Sequence, residues 1–280
     1  MRTIDLGDRI RIEDEVFFDI SQTFDCGQTF RFERVSENTF EGVAHGKLLR
    51  LSQEECSVTL NCTSDEFENI WKRYLALDRN YEDINSFFAS GSDEVLKRAA
   101  LYGKGIRILR QDPWEALCSF IISQNNNIPR IKKIISALSE RFGEPFECGG
   151  RTYYAFPTAK SLADAGTDAI FELRTGFRAK YISDAAQKVA SGEIDLDMIS
   201  SLPTKEALDE LMRIKGVGPK VASCALLFGF DKSDAFPIDV WVKKVFEKYY
   251  PNGFDILSFG ENAGIAQQYL FYYERWNSKI

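Results

Sequence analysis

The stretch LMRIKGVGPKVAS (residues 211–223) reads as the end of one helix, a tight turn and the start of another. Gly216 and Gly218 let the backbone turn sharply and let a ligand approach it closely. Pro219 suits the first position of the second helix, which puts Lys220 in its first turn. Backbone N–H groups at such a helix start point outward and attract anions such as phosphate. A lysine there is either a solvated charge or a group aimed at a ligand, and the motif alone does not choose. Further on, AFPIDVWVKKVF (235–246) places Asp239 after Pro237 and before an apolar-faced helix. Asp239 reads as an N-cap, and a carboxylate so placed can also stabilise a nearby cation.

The chain around these two motifs is large enough to bury a sizeable core. Its 280 residues, 44% of them hydrophobic, suit one or two domains. No apolar run reaches the roughly 18 residues that span a bilayer. MRTIDLGDRIRIEDEV at the start carries charges where a signal peptide needs an apolar core, so the expectation is a cytoplasmic protein with no membrane partner. None of the six cysteines forms a CxxC pair, which disfavours zinc and iron–sulfur sites. The single histidine, His45, excludes a histidine triad and a multi-histidine metal site. A net charge of −7 argues, taken alone, against a nucleic-acid partner. The stretch from Lys104 to Lys133 runs the other way: Lys104, Arg107, Arg110, Arg130, Lys132 and Lys133 face only Asp112 and Glu115, so a local basic face is expected.

Periodicity divides the chain near residue 105. Up to about residue 63, IRIEDEVFFDI, QTFRFERV, TFEGVAHGKLLRLS and CSVTLNC alternate like strands, with turns at Gly27, Ser36-Glu37-Asn38 and Gly46. SDEFENIWKRYLALD then reads as a helix capped by Ser64, and YEDINSFFAS as a second. Beyond residue 105 the period is helical. Asp112-Pro113 opens WEALCSFIISQ, IPRIKKIISALSERF stops at Gly143, and AKYISDAAQKVASG, TKEALDELMRI, PKVASCALLFG, DVWVKKVFEKYY and ENAGIAQQYLFYYERW follow. The expected organisation is an N-terminal sheet-and-helix domain over 1–105 and a helical domain over 106–280, packed together.

Six segments in order, CGQTFRF (26–32), SQNNNIPRI (123–131), GFRAKY (176–181), GVGPKVASC (216–224), PIDV (237–240) and AGIAQQYLF (263–271), resemble the 8-oxoguanine DNA glycosylase/lyase family of the eukaryotic type, also found in some bacteria. The resemblance covers nearly the whole chain. It implies an α+β fold, with an antiparallel, TBP-like sheet domain packed on an all-α helix-hairpin-helix glycosylase domain. It implies an enzyme that flips 8-oxoguanine out of double-stranded DNA, excises it preferentially opposite cytosine, and nicks the strand by β-elimination. Such a protein acts as a monomer, on the nucleoid in a bacterium, and requires no cofactor.

Residue by residue, the resemblance makes Lys220 the nucleophile at C1′ and Asp239 the support for developing positive charge. Gly27 supplies a carbonyl to the N7–H that 8-oxoguanine has and guanine lacks. Gln267 bonds the base's Watson–Crick edge, and Cys224 and Phe271 sandwich the ring near Pro237. Asn125 fills the gap left by the flipped base, Arg130 and Arg178 hold the orphaned cytosine, and Phe177 is the wedge. Gly216, Gly218, Val221 and Trp241 fall at DNA-contacting positions. The carbonyls of Met212, Ile214 and Val217 form the place for a hairpin-bound monovalent or divalent cation. Spacing agrees where it speaks: Lys220 and Cys224 share a helix face, as do Gln267 and Phe271. Taken singly, Cys224, Phe271 and Phe177 read as core residues, Arg130 and Arg178 as surface charges, Gly27 as a hairpin turn, and the asparagine run as capping at a helix end. Two positions depart from the family: Trp241 stands where members often carry histidine, and Ser223 where they often carry aspartate. The absence of a four-cysteine cluster sets the chain apart from the related iron–sulfur glycosylases. Two rival readings are a glycosylase for another damaged base and a non-catalytic damage-binding hairpin protein.

Overall fold

Alternating strands of the N-terminal part pair into one antiparallel sheet in the computed structural model, which describes residues 2–277. Its six strands are β1 (Arg2–Asp5), β2 (Ile10–Glu13), β3 (Phe32–Ser36), β4 (Thr39–Ala44), β5 (Lys47–Glu54) and β6 (Ser57–Leu60), in the order β1-β2-β6-β5-β4-β3. β4 and β5 join through His45 and Gly46, both at positive φ, the backbone that a two-residue hairpin with right-handed twist demands. One sheet face buries Ile10, Ile12, Phe32, Phe40, Leu49, Leu51, Val58 and Leu60 against α1 (Ile20–Asp25) and the helical run from Ser64 to Tyr74. That run starts one residue earlier than the sequence suggested. Thr63, not Ser64, is the N-cap, because Glu66 three residues on completes a reciprocal capping box with it.

A helical layer follows. α2 (Tyr81–Ser90), α3 (Glu94–Tyr102), α4 (Pro113–Ser123) and α5 (Ile128–Phe142) come first. Then a short hairpin, β7 (Pro145–Cys148) with β8 (Arg151–Tyr154), which the sequence reading did not anticipate, precedes α6 (Ala159–Ile170) and α7 (Ala179–Ala190). The chain closes with α8 (Leu196–Ser201), α9 (Thr204–Leu211), α10 (Pro219–Gly229), α11 (Val240–Tyr249) and α12 (Ala263–Asn277). Asp112 caps α4 and Pro113 sits in its first turn, as the dipeptide predicts.

Two contacts fix how this layer sits. α10 and α4 run antiparallel and approach so closely that a Cβ on Gly229 would lie 2.8 Å from Ala116 Cβ. Phe120 and Phe228 stack between them at 5.3 Å. Gln28 is buried on the other side. Its side chain donates to Thr23 O (2.9 Å) and Arg107 O (2.7 Å) and accepts from Leu109 N–H (2.8 Å), clamping the turn after α1 to the extended segment 106–111. The expected basic face over 104–133 does not form. Arg107 is buried beside Glu15, Arg110 is held by Asp78 and Asp231, and Lys132 pairs with Glu33. Lys104, Arg130 and Lys133 stay exposed. No helix is long and apolar enough to cross a membrane among the described residues.

Candidate active site

The hairpin between α9 and α10 is built on glycine. Gly216 has φ +77, and a Cβ there would lie 2.4 Å from the Tyr181 ring. Only glycine lets α7 pack so close beneath the turn. Asp184 accepts from Lys215 N–H (2.7 Å), and Lys188 donates to Arg213 O (2.7 Å), anchoring the hairpin to α7. Gly218 caps α10 without a side chain, and the helical ladder begins with Ala222 N–H on Gly218 O. The N–H groups of the first turn therefore stay open toward the hairpin. Val221's side chain is buried, so only its backbone faces that way. Met212 and Val217 carbonyls accept no backbone hydrogen bond among the described residues, whereas Ile214 O accepts from Val217 N–H (3.0 Å).

Lys220 emerges half-buried from this turn. Its Nζ lies 3.4 Å from Ser123 Oγ and 5.5 Å from the Phe120 ring centre. Ser123 Oγ is itself oriented by donating to Phe120 O (2.8 Å). The antiparallel α4–α10 contact brings the end of one helix to the start of the other, so Ser123 is a site residue that sequence reasoning missed. Its signal was adjacency to the asparagine run. Asp239 Oδ1 caps α11 by accepting from Trp241 and Val242 N–H, both at 2.9 Å. One turn after Lys220, Cys224 is 4% exposed. Burial pushes its thiol up and Asp239 adds to this, while the Lys220 charge beside it pulls the other way. Cys224 thus stays a neutral, soft surface.

The remaining wall comes from α12 and the turn at Gly27. Gln267 is 3% exposed, and among the described residues its Oε1 has no hydrogen-bond partner. A buried amide oxygen without a partner costs about 1–3 kcal/mol, which a donor arriving with a ligand would recover. Phe271, one turn on, is buried with Phe236 and Val242. Gly27 has φ +83, and its carbonyl accepts no hydrogen bond among the described residues. Both neighbours of that carbonyl are held: Gln268 donates to Cys26 O (3.1 Å) and Gln111 to Gln28 O (2.7 Å). Pro237 is buried beside Asp239, and the Trp241 ring lies under Lys244 Nζ at 4.3 Å.

Each of the three asparagines has its own task. Asn126 donates to Ile122 O and accepts from Asn127 N–H, and Asn127 caps α5. Asn125 has φ +47, a left-handed conformation that asparagine tolerates, and its exposed side chain makes no hydrogen bond among the described residues. Arg130 is exposed, and among the described residues its side chain makes one hydrogen bond, at 3.3 Å to Arg174 O. Arg178 is different from the open contact residue the sequence suggested. It is 2% exposed, and its guanidinium donates to Gln124 O, Asn125 O and Thr175 O, holding the Asn125 turn from behind. Burial and the nearby Arg130 charge lower its pKa from the usual arginine value. Phe177 is half exposed, leaning edge-on over Tyr181 beside the hairpin.

The fold and this site define the HhH-GPD superfamily of base excision DNA repair proteins, which the chain matches over residues 118–254. Residues 9–117 match the family described as 8-oxoguanine DNA glycosylase, N-terminal domain. The crystal structure of Clostridium acetobutylicum 8-oxoguanine glycosylase/lyase, in complex with dsDNA containing cytosine opposite to 8-oxoG, superposes with a TM-score of 0.93 at 39% identity, covering 99% of both chains. The chain belongs to the 8-oxoguanine DNA glycosylase family. An N-glycosylase/DNA lyase of Saccharomyces cerevisiae is 35% identical over 190 residues, 64% of this chain and 50% of the relative, so the match spans half the length of that protein. One from Arabidopsis thaliana is 29% identical over 276 residues, 89% of this chain and 75% of the relative. A 3-methyladenine DNA-glycosylase from Archaeoglobus fulgidus shares the fold at a TM-score of 0.75 and 22% identity.

The two arginines should separate in stability measurements. Arg178→Met strips donors from three backbone carbonyls and should cost at least about 2 kcal/mol. Arg130→Ala removes an exposed side chain and should change stability by no more than about 0.5 kcal/mol. Denaturant unfolding of the two variants checks this, and equal losses would contradict the assignment of Arg178 as the buttress.

Proposed function

We propose that this protein excises 8-oxoguanine from duplex DNA and cleaves the strand through Lys220. The observation that carries the reading is the unpartnered Gln267 oxygen, buried on the same helix face as Phe271 in a chain of this family. A purine between Cys224 and Phe271 would bring its ring N–H and amino donors to that oxygen. The base must first leave the helical stack, because the reacting sugar carbon is inaccessible within it.

In this reading the unprotonated Lys220 amine, steadied by the Ser123 hydroxyl, attacks C1′. The glycosidic C–N bond breaks and the base leaves with the bonding pair and a proton. Ring opening gives a Schiff base between Lys220 and the sugar. Loss of a C2′ proton then expels the 3′ phosphate. The Asp239 carboxylate, fixed by its two backbone N–H donors, stabilises positive charge as it develops on the sugar. The helix start suits the DNA backbone, and the Met212, Ile214 and Val217 carbonyls would hold a cation, which would supply positive charge toward a phosphate. No organic cofactor enters the scheme. Asn125 and Arg130 read the cytosine left behind, while Arg178 holds the turn that presents Asn125 and Phe177 wedges the neighbouring stack. Work on chromosomal DNA suits a cytoplasmic, nucleoid-associated monomer.

Borohydride should trap a covalent complex between the wild type and an 8-oxoguanine duplex. Lys220→Gln should trap none while still binding DNA, and Asp239→Asn should slow base release by roughly two to three orders of magnitude. Normal trapping by Lys220→Gln would overturn the nucleophile assignment.

Excision should be faster opposite cytosine than opposite adenine by roughly 5- to 150-fold, the range of one bidentate base contact. Arg130→Ala should flatten that ratio; a wild type that cuts both pairs equally makes Arg130 a phosphate contact or a surface charge.

Replacing potassium by a bulky organic cation at equal ionic strength should weaken duplex binding through the hairpin. Unchanged affinity would remove the cation from the scheme.

A further inference from the structure

Arg275 stands in the base pocket without a task in the scheme above. It continues the stripe of Gln267 and Phe271 along α12 at four-residue spacing, so the three side chains share one face. Helical side chains lean toward the N-terminus, which carries the guanidinium back over Phe271, with Cζ 5.6 Å from the ring centre. Its Nη1 reaches to 3.3 Å from where a Cβ on Gly27 would stand. Among the described residues Arg275 makes no hydrogen bond and no ion pair, though it is half-buried. The contact is held by the frame: Gln268, from the same helix, donates to Cys26 O beside Gly27. An open carbonyl acceptor and an unoccupied guanidinium donor therefore stand side by side at one end of the pocket.

This pair matches the chemical difference between 8-oxoguanine and guanine. Oxidation at C8 gives the base two new adjacent groups, an N–H donor at N7 and a carbonyl acceptor at C8. Gly27 O is the complement of the first and the guanidinium of the second. We infer that Arg275 is a specificity-determining residue that donates to the C8 carbonyl of the flipped base, so that both marks of the lesion are read at once. The inference rests on the proposed excision of 8-oxoguanine and deepens it. Guanine offers neither group: its N7 would meet the Gly27 carbonyl lone pair against lone pair, and the guanidinium would face a C–H. Arginine suits the position because its fixed fork can serve a carbonyl and still lie against an aromatic ring.

The test compares single-turnover excision of 8-oxoguanine with strand cleavage at a preformed abasic site, which lacks any base to read. Arg275→Met should lose roughly ten- to a hundredfold on 8-oxoguanine, the size of a charge-assisted hydrogen bond, and at least tenfold more than it loses at the abasic site. Arg275→Lys, keeping charge and a donor without the fork, should fall between. Equal losses on the two substrates, or none, would overturn the inference. A second measurement stands even if the methionine variant folds poorly. The wild type should excise 8-oxoguanine faster than 8-aminoguanine, which lacks both the carbonyl and the N7–H, and Arg275→Lys should narrow that gap by the part due to the carbonyl; an unchanged gap counts against the contact. A wild type that excises no 8-oxoguanine at all would instead remove the proposed activity itself.

Discussion

Gly229 against Ala116 is the contact on which the site depends. Because no Cβ separates the two helices there, α4 and α10 lie close and antiparallel, and Phe120 stacks on Phe228 between them. The opposite ends of the pair then meet. Ser123 closes α4 where Lys220 opens α10, and the chain leaving Ser123 must turn at once through the three asparagines. A close helix contact is thus converted into the placement of an amine, a hydroxyl and an exposed asparagine around one opening. Packing interiors have little slack, so a shift at Gly229 would be felt at Lys220.

A second constraint acts from the sheet side. Gln28 spends its side-chain groups on backbone partners, and Gln111 and Gln268 take the carbonyls on either side of Gly27. Buried amides that are fully bonded rigidify their surroundings. The Gly27 carbonyl is left open between two held neighbours, with its orientation fixed before any base arrives. Arg178 does the same for the other face by bonding three carbonyls beneath Asn125. Both devices keep open one group between held carbonyls, and such preorganisation lowers the ordering cost of binding.

The acidity of the chain and the proposed DNA substrate are reconciled by placement. Half of the basic residues in the stretch 104–133 are consumed by ion pairs with Glu15, Glu33, Asp78 and Asp231. What remains open to a phosphate is local: the N–H groups of the first turn of α10. Net charge governs long-range steering, whereas a few oriented groups suffice at a docking site.

The sequence by itself determined most of the elements and their local chemistry, though not the helices α3, α6 and α8. Strand alternation, the Asp112-Pro113 start, the Gly216–Pro219 hairpin and the i,i+4 pairs Lys220/Cys224 and Gln267/Phe271 are local patterns, and local patterns are written in consecutive residues. Ordered resemblance across six segments added the roles. The tertiary structure decided which groups are open and which are spent. Arg130 and Arg178 look alike in sequence, yet one is exposed and the other is buried under backbone carbonyls. Ser123 and Arg275 read as ordinary helix residues until α4 meets α10 and α12 meets the Gly27 turn. The β7–β8 hairpin escaped notice because its strands are short and mostly exposed, with weak alternation. Hydrogen-bond satisfaction and burial depend on residues far apart in the chain, so no window of sequence contains them.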